Sequence, residues 1–337
     1  MLAIGLSEEI SFQDALAQTQ ALDRDILLGN GFSIAAHSGF NYARLLDRAS
    51  VSDDVRGLFA AARTSNFEAV MRILLAEAFE QGERGAHTAR EKVDALKTAL
   101  IHSIHEVHPP RRTYIGADRW ESCEIFLENF IGRKRKGRIF TTNYDLLLCW
   151  AVAPDRDRIK PEKRFRAYEG FRGTYYDGSC GAANIIYLHG ALHLYAAASQ
   201  ERQLQYFNSG VPLHDQIASL LRSGGLPIVV TEGSSNLKVP RGKGFLKHAH
   251  AAFGGACRGG LKTALFTLGH GLGPEDNHIL DRIPEGTVGS IYLGAYGRQE
   301  MDAFRLIADG WIARRSAAGK PPLKPYVFDS TGVVWGA

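Results

Sequence analysis

Asp25-Ile26-Leu27-Leu28-Gly29-Asn30-Gly31-Phe32-Ser33 is the stretch that decides the fold. Ile26-Leu27-Leu28 is a short apolar run, Gly29-Asn30-Gly31 interrupts it, and Phe32-Ser33-Ile34-Ala35-Ala36 reads as the opening of a helix. The order is strand, glycine turn, helix. Glycines at such a turn let the backbone approach a phosphate, and a helix start offers unpaired N–H groups with a partial positive charge. The full dinucleotide fingerprint is not present. Ile34 stands where its third glycine would be, and no acidic residue ends a second strand about 20 residues on. Two readings stand here: a nucleotide-binding turn, and an ordinary tight strand–helix turn.

Outward from this turn, composition sets the bounds. A chain of 337 residues can bury a sizeable core. Its length suggests about two domains, or one large α/β domain carrying an insertion. The formal net charge of +4 is too mild to argue for a nucleic-acid partner. No apolar run approaches the roughly 18 residues of a membrane-spanning helix. Met1 to Phe12 lacks the basic start and cleavage site of a signal peptide, so a cytoplasmic protein is expected. Cys123, Cys149, Cys180 and Cys257 lie far apart and form no C-x-x-C pair. That spacing argues against a zinc ribbon and a disulfide framework, and no metal is expected.

From Asn41 to Ile131 the pattern is helical. Ser65-x-x-Glu68 reads as a capping box opening a helix whose apolar stripe is Phe67, Val70, Met71, Leu74, Leu75, Ala78 and Phe79. A second helix is expected from about Arg90 to Glu106, ended by Pro109-Pro110, and a third from Asp118 to Ile131. The basic run Gly132 to Arg138 reads first as solvated surface beside a turn. Strands then return at Arg138–Thr142, Ile185–Leu188, Leu226–Thr231, Ala264–Leu268 and Gly289–Leu293, with an edge strand at Tyr326–Asp329. Helical stretches separate them, near 146–152, 213–222 and 244–253. Ala153 to Ala183 reads as a long loop or small subdomain. The expectation is a Rossmann-like α/β fold, a parallel sheet with helices on both faces. Residues 1–40 and 132–337 form its core, and 41–131 form a helical insertion after the first strand–helix unit.

Ligands of open α/β sheets sit at the carboxyl ends of the strands. Five expected strands end in small or polar clusters: Gly29 to Ser33, Thr141 to Asp145, His189-Gly190, Thr231 to Ser235, and Gly269 to Leu272 followed by Glu275 to His278. Each cluster has a plain structural reading. Thr-Thr-Asn can cap the next helix, and His189 can be a core histidine bonded to backbone. A purely structural sheet does not need such clusters at five ends at once.

The set resembles the sirtuin-like superfamily, in particular its bacterial antiphage-defence branch. The matching segments are Gly29-Asn30-Gly31-Phe32-Ser33, Asn143-Tyr144-Asp145, His189-Gly190 and Gly269-His270-Gly271-Leu272, in that order. The resemblance implies that NAD is bound and its nicotinamide–ribose bond cleaved, with NAD as substrate. It implies catalytic roles for Asn143, His189 and Asp145. Cofactor contacts are implied at Gly29, Asn30, Gly31, Phe32, Ser33, Thr142 and Gly190, and at Gly269, His270 and Gly271 on the adenosine side. It further implies a role in depleting NAD in an infected cell. A constitutive NAD hydrolase would poison its host, so the free chain is expected to be held inactive by its self-assembly state, a defence partner or a trigger. Three departures matter. The chain cannot build the four-cysteine zinc module of the deacylases, Asn41-Tyr42-Ala43-Arg44 lacks the Asp of their first loop, and Gly271 replaces a Ser. An NAD-dependent transferase and a non-catalytic nucleotide sensor are the alternatives. The roles of His193, Glu232, Asp276 and His278 are left undecided.

Overall fold

Residues 8–80, 82–152, 164–165, 167–176, 178, 183–197, 200–204, 210–229 and 244–336 are described by a computed structural model. Along the chain its strands are β1 (Glu8–Glu9), β2 (Asp23–Leu28), β3 (Ile139–Thr141), β4 (Phe171–Arg172), β5 (Tyr175–Tyr176) and β6 (Ile185–Tyr187). They continue with β7 (Gly190–Ala197), β8 (Gln200–Gln203), β9 (Pro227–Val229), β10 (Thr263–Leu268), β11 (Ser290–Ala295) and β12 (Lys324–Asp329).

Seven strands form one sheet in the order β1-β12-β11-β10-β2-β3-β6, and every pairing in it is parallel. Without the short β1, the order from the far edge is β6-β3-β2-β10-β11-β12. Counted along the chain this is 3-2-1-4-5-6, the doubly wound Rossmann order. β2 is central, and five of its six residues are buried. Its side chains alternate between two apolar layers, as a period of two requires. Ile26 and Leu28 join the layer that holds Phe32, Phe130 and the helices of 42–131. Leu27 joins the opposite layer, with Phe253, Ile283, Phe304 and Trp311. The sheet is therefore covered on both faces.

The helices of the insertion are Tyr42–Arg48, Asp53–Ala61, Phe67–Glu80, Gly82–Val107 and Ala117–Ile131. They share an apolar cluster with the sheet: Leu45, Phe67, Val70 and Leu100 belong to the same layer as Ile26 and Leu28. The cap of the helix at Phe67 differs from expectation. Asn66, not Ser65, accepts through Oδ1 from the N–H groups of Glu68 and Ala69. The side chains of Ala78 and Phe79, expected in the apolar stripe, lie outside the described residues.

Two strand expectations need correction. In the expected strand Leu226–Thr231, the described residues Pro227–Val229 form β9, which pairs antiparallel with β7 in a second, five-stranded sheet ordered β4-β5-β8-β7-β9 rather than joining the parallel one; Val230 and Thr231 lie outside the described residues. Redirection begins at Gly190, whose φ of +82° turns the chain out of the parallel sheet right after β6. Pro227 has no N–H, which suits the edge position of β9. The stretch Tyr326–Asp329 is not an edge. β12 lies inside β1, whose exposed Glu8 and Glu9 form the short charged border of the sheet.

Candidate functional site

Parallel register sets the carboxyl ends of the strands at one level. Leu28 is opposite Leu268 on one side and Thr141 on the other, and Thr141 is opposite Tyr187. Ladder bonds continue one residue past the ends: Gly29 N donates to Leu268 O at 3.0 Å, Thr142 N to Leu28 O at 3.1 Å, and Leu188 N to Thr141 O at 2.8 Å. Connections leave β2 and β10 in opposite directions, which makes their ends the topological switch point.

The loops after β2 and β10 interlock there. Gly31 N donates to Gly269 O at 2.7 Å. A Cβ on Gly31 would lie 2.6 Å from Gly269 Cα, and one on Gly29 would lie 2.5 Å from His270 Cα. Gly269 itself has φ +65°. The glycines of the turn thus let two backbones meet, and the Gly31 N–H is engaged by protein.

A cavity of about 280 Å³ opens at this level. The strand-end loops supply Gly29, Asn30, Thr142, Asn143, Asp145, His189, Gly269, His270 and Gly271 to its wall. The helical segment covers it with Phe40, Tyr42, Leu45, Asn66, Glu68, Leu100 and Ile104. Tyr144, Gly273, Glu275 and Asp276 complete the wall. Gly31, Phe32, Ser33 and Gly190 stand outside it. Phe32 is buried against Trp335, whose Nε1 donates to its carbonyl at 2.8 Å. Gly190 packs on β9, where a Cβ would meet Ile228 O at 1.9 Å. Ser33 supports the wall from behind. Thr231 to Ser235, including Glu232, lie outside the described residues.

The support is a chain of hydrogen bonds. Asn143 donates through Nδ2 to Gly29 O at 3.0 Å and to Ser33 Oγ at 2.7 Å. Ser33 Oγ donates to Asp145 Oδ2 at 2.5 Å, and Asp145 Oδ1 accepts from Leu147 N at 2.8 Å. Burial pushes the Asp145 carboxyl above the usual range, and the bonds from Ser33 and Leu147 pull against that rise. Behind the loop, His108 Nε2 accepts from Leu146 N at 3.0 Å while its Nδ1 meets Pro109 O at 2.7 Å. This fixes a neutral ring with its proton on Nδ1. Burial lowers the His108 pKa to about 3.

Between cover and sheet, Tyr144 donates its hydroxyl to Glu68 Oε1 at 2.9 Å. Burial, and after it the Glu68 charge, push the phenols of Tyr42 and Tyr144 well above their usual range, so both remain neutral donors. On the opposite wall, Asp276 bridges two histidines. Its Oδ1 is 3.4 Å from His189 Nε2 and its Oδ2 is 3.2 Å from His270 Nε2. His270 Nδ1 accepts from Leu272 N at 3.1 Å, which leaves the ring proton on Nε2, facing Asp276. His189 Nε2 also meets His278 Nε2 at 3.1 Å, with the rings stacked at 5.2 Å.

The expectation of a metal-free chain meets two clusters among the described residues that could hold an ion. His189, Asp276 and His278 bring one ligand atom each within 4.8 Å of one another, and so do Cys149, Glu169 and His193. Burial alone would raise the Glu169 carboxyl. The nearby His193 ring, 3.7 Å away, and hydrogen bonds from Tyr187 and Gln203 outweigh it and hold the group below its ordinary range. Cys123, Cys149 and Cys257 are free thiols, and Cys180 lies outside the described residues. In the basic run, Arg133, Lys134 and Lys136 are exposed, while Arg138 pairs with buried Asp25 at 2.8 Å. No helix among the described residues is long and apolar enough to cross a membrane.

A family model described as Domain of unknown function (DUF4917) matches residues 26–332. The chain belongs to the DUF4917 family. No curated protein matches it. The DUF4917 match runs from Ile26, the fourth residue of the central strand, to beyond β12, so the carboxyl ends of the parallel strands and both layers of the cavity fall within it. Sequence reasoning missed the cover, Tyr42, Asn66 and Glu68 in particular. Their only local signal was polar character within an otherwise amphipathic helical segment. The undecided Asp276 and His278 prove to stand beside His189.

Proposed function

We propose that this member of the DUF4917 family binds NAD in the switch-point cavity and hydrolyses its nicotinamide–ribose bond. One observation carries the reading: Asn143 and His189, from two of the four sirtuin-like motifs, line one cavity at the carboxyl ends of a doubly wound sheet. The reading extends to the defence role that the motifs imply, depletion of NAD during infection, with assembly or a partner protein restraining the enzyme. Residues 41–131 act as the cover of the site, and residues 1–40 with 132–337 as its core.

Cleavage of this bond releases a neutral base from a pyridinium, so the leaving group needs no proton. The demand falls on the ribose carbon, which becomes oxocarbenium-like, and on the water that attacks it. Asp145, Glu68, Glu275 and Asp276 give the wall an acidic character, which favours positive charge at the sugar. His189 takes the proton of the water, and Asp276 beside it stabilises the imidazolium that forms. Asn143, its Nδ2 held by Gly29 and Ser33, keeps Oδ1 to orient a ribose hydroxyl or the water. General-base assistance of this kind is worth about 100- to 10,000-fold in rate.

The test is incubation with NAD labelled in the adenosine half. Free nicotinamide and labelled free ADP-ribose are the expected products. Label retained on protein would indicate the transferase, and intact NAD with a thermal shift would indicate a restrained enzyme or a sensor.

A further inference from the structure

The three ligand atoms around His189 have a spacing that base catalysis does not require. His189 Nε2 and His278 Nε2 point at each other across 3.1 Å, and Asp276 Oδ1 is 3.4 Å from His189 Nε2. Zinc binds imidazole at about 2.0–2.1 Å and carboxylate at about 2.0–2.2 Å, so the edge of a tetrahedral ligand set is about 3.3–3.5 Å. An ion placed among the three would need only small side-chain movements. Behind the carboxylate, His270 Nε2 is buried 3.2 Å from Asp276 Oδ2 without a hydrogen bond in this arrangement. His189 and His278 are buried, while His189 and Asp276 line the cavity, so a fourth position would open into it.

The geometry points to a binding site for one divalent transition-metal ion of the Zn²⁺ type, held by His189 Nε2, Asp276 Oδ1 and His278 Nε2. Two imidazoles and one carboxylate form a donor set suited to Zn²⁺ and its first-row neighbours, in the three-ligand pattern that leaves a position open. An ion on Nε2 occupies the lone pair with which His189 would accept a proton. Ion loading and base catalysis at His189 are then mutually exclusive, a consequence that rests on the NAD reading; the site itself does not.

The experiment is a Co²⁺ titration of the full chain, stripped with a chelator and then freed of it, followed by displacement with Zn²⁺. NAD is absent, so the outcome is independent of turnover. Expected are visible ligand-field bands saturating at one equivalent and removed by Zn²⁺. Asp276→Asn and His278→Ala should each weaken binding by about tenfold or more. Circular dichroism identifies any variant that fails to fold, and Asp276→Asn, close in shape to the native side chain, preserves the test if His278→Ala does. Absence of the bands in the wild type would overturn the proposal, as would folded variants that bind as tightly as it does. A near-ultraviolet thiolate-to-cobalt band abolished by Cys149→Ser would also overturn it, placing the ion at Cys149, Glu169 and His193.

Discussion

Asn143 Nδ2 stands 2.7 Å from Ser33 Oγ, joining the loop after the second strand of the core to the helix after the first. Through Ser33 the link continues to the buried Asp145 carboxylate. Ser33→Ala removes the acceptor of one bond and the donor of the other at a fully buried position. Leaving buried polar groups unpaired costs about 1–3 kcal/mol. Urea denaturation should show a loss of that size, and NAD turnover should fall with it. A variant as stable as the wild type would contradict this role.

Two neighbouring glycines should behave in opposite ways. A Cβ at Gly269 would meet Phe32 N at 2.4 Å, and its φ of +65° is unfavourable for any side chain. Gly269→Ala should therefore cost at least about 2 kcal/mol in denaturant unfolding. A Cβ at Gly271 meets nothing within 4 Å. Gly271→Ala should change stability by no more than about 0.5 kcal/mol. Equal effects would mean that the loops after β2 and β10 do not interlock.

His108 makes stability depend on pH. Its folded pKa, about 3, lies below the unfolded value of about 6.5. Between these values the unfolded chain binds the extra proton. The contribution is complete above the upper value and is lost as pH falls toward the lower one, at about 1.4 kcal/mol per pH unit. Protonation also removes the acceptor for Leu146 N and so loosens the loop that carries Asn143 and Asp145. Unfolding measured across this window should show a shallower pH slope in His108→Asn than in the wild type. Identical slopes would contradict the assignment.

Tyr144 and Glu68 join cover to sheet. Tyr144→Phe withdraws a donor from a Glu68 side chain that is nearly buried, a bond to a charged group worth about 1.5–3 kcal/mol. Adding Glu68→Gln should recover part of the loss. A double-mutant cycle in denaturant measures the coupling, and additivity of the two changes would show that the contact holds nothing together.

How much of this was legible in the sequence follows from which interactions are local. Ile26 to Leu28 announce a buried strand because both faces of a central parallel strand must be apolar. The polar residues after Leu28, Thr141, Tyr187 and Leu268 stand out because ladder register sets those ends level. The five-stranded sheet was not legible. Four of its five strands span four residues or fewer, and the turn that diverts β7 depends on the backbone angle at Gly190 rather than on composition. Nor was the cover: Tyr42 and Glu68 reach the cavity through packing of helices remote in sequence from the loops they face. Ser65-x-x-Glu68 has the spacing of a capping box, yet Asn66, one residue later, performs that task. Asp276 and His278 were visible as residues but not as partners of His189, because the contact spans 89 positions.

The most direct measurement is chromatographic: purified wild type, Asn143→Ala and His189→Ala are each incubated with NAD and a chelator, and free nicotinamide and ADP-ribose are followed. Equal amounts of both products from the wild type, with each variant folded and slower by about 100-fold or more, is the predicted result. Folded variants that consume NAD at the wild-type rate would contradict the account.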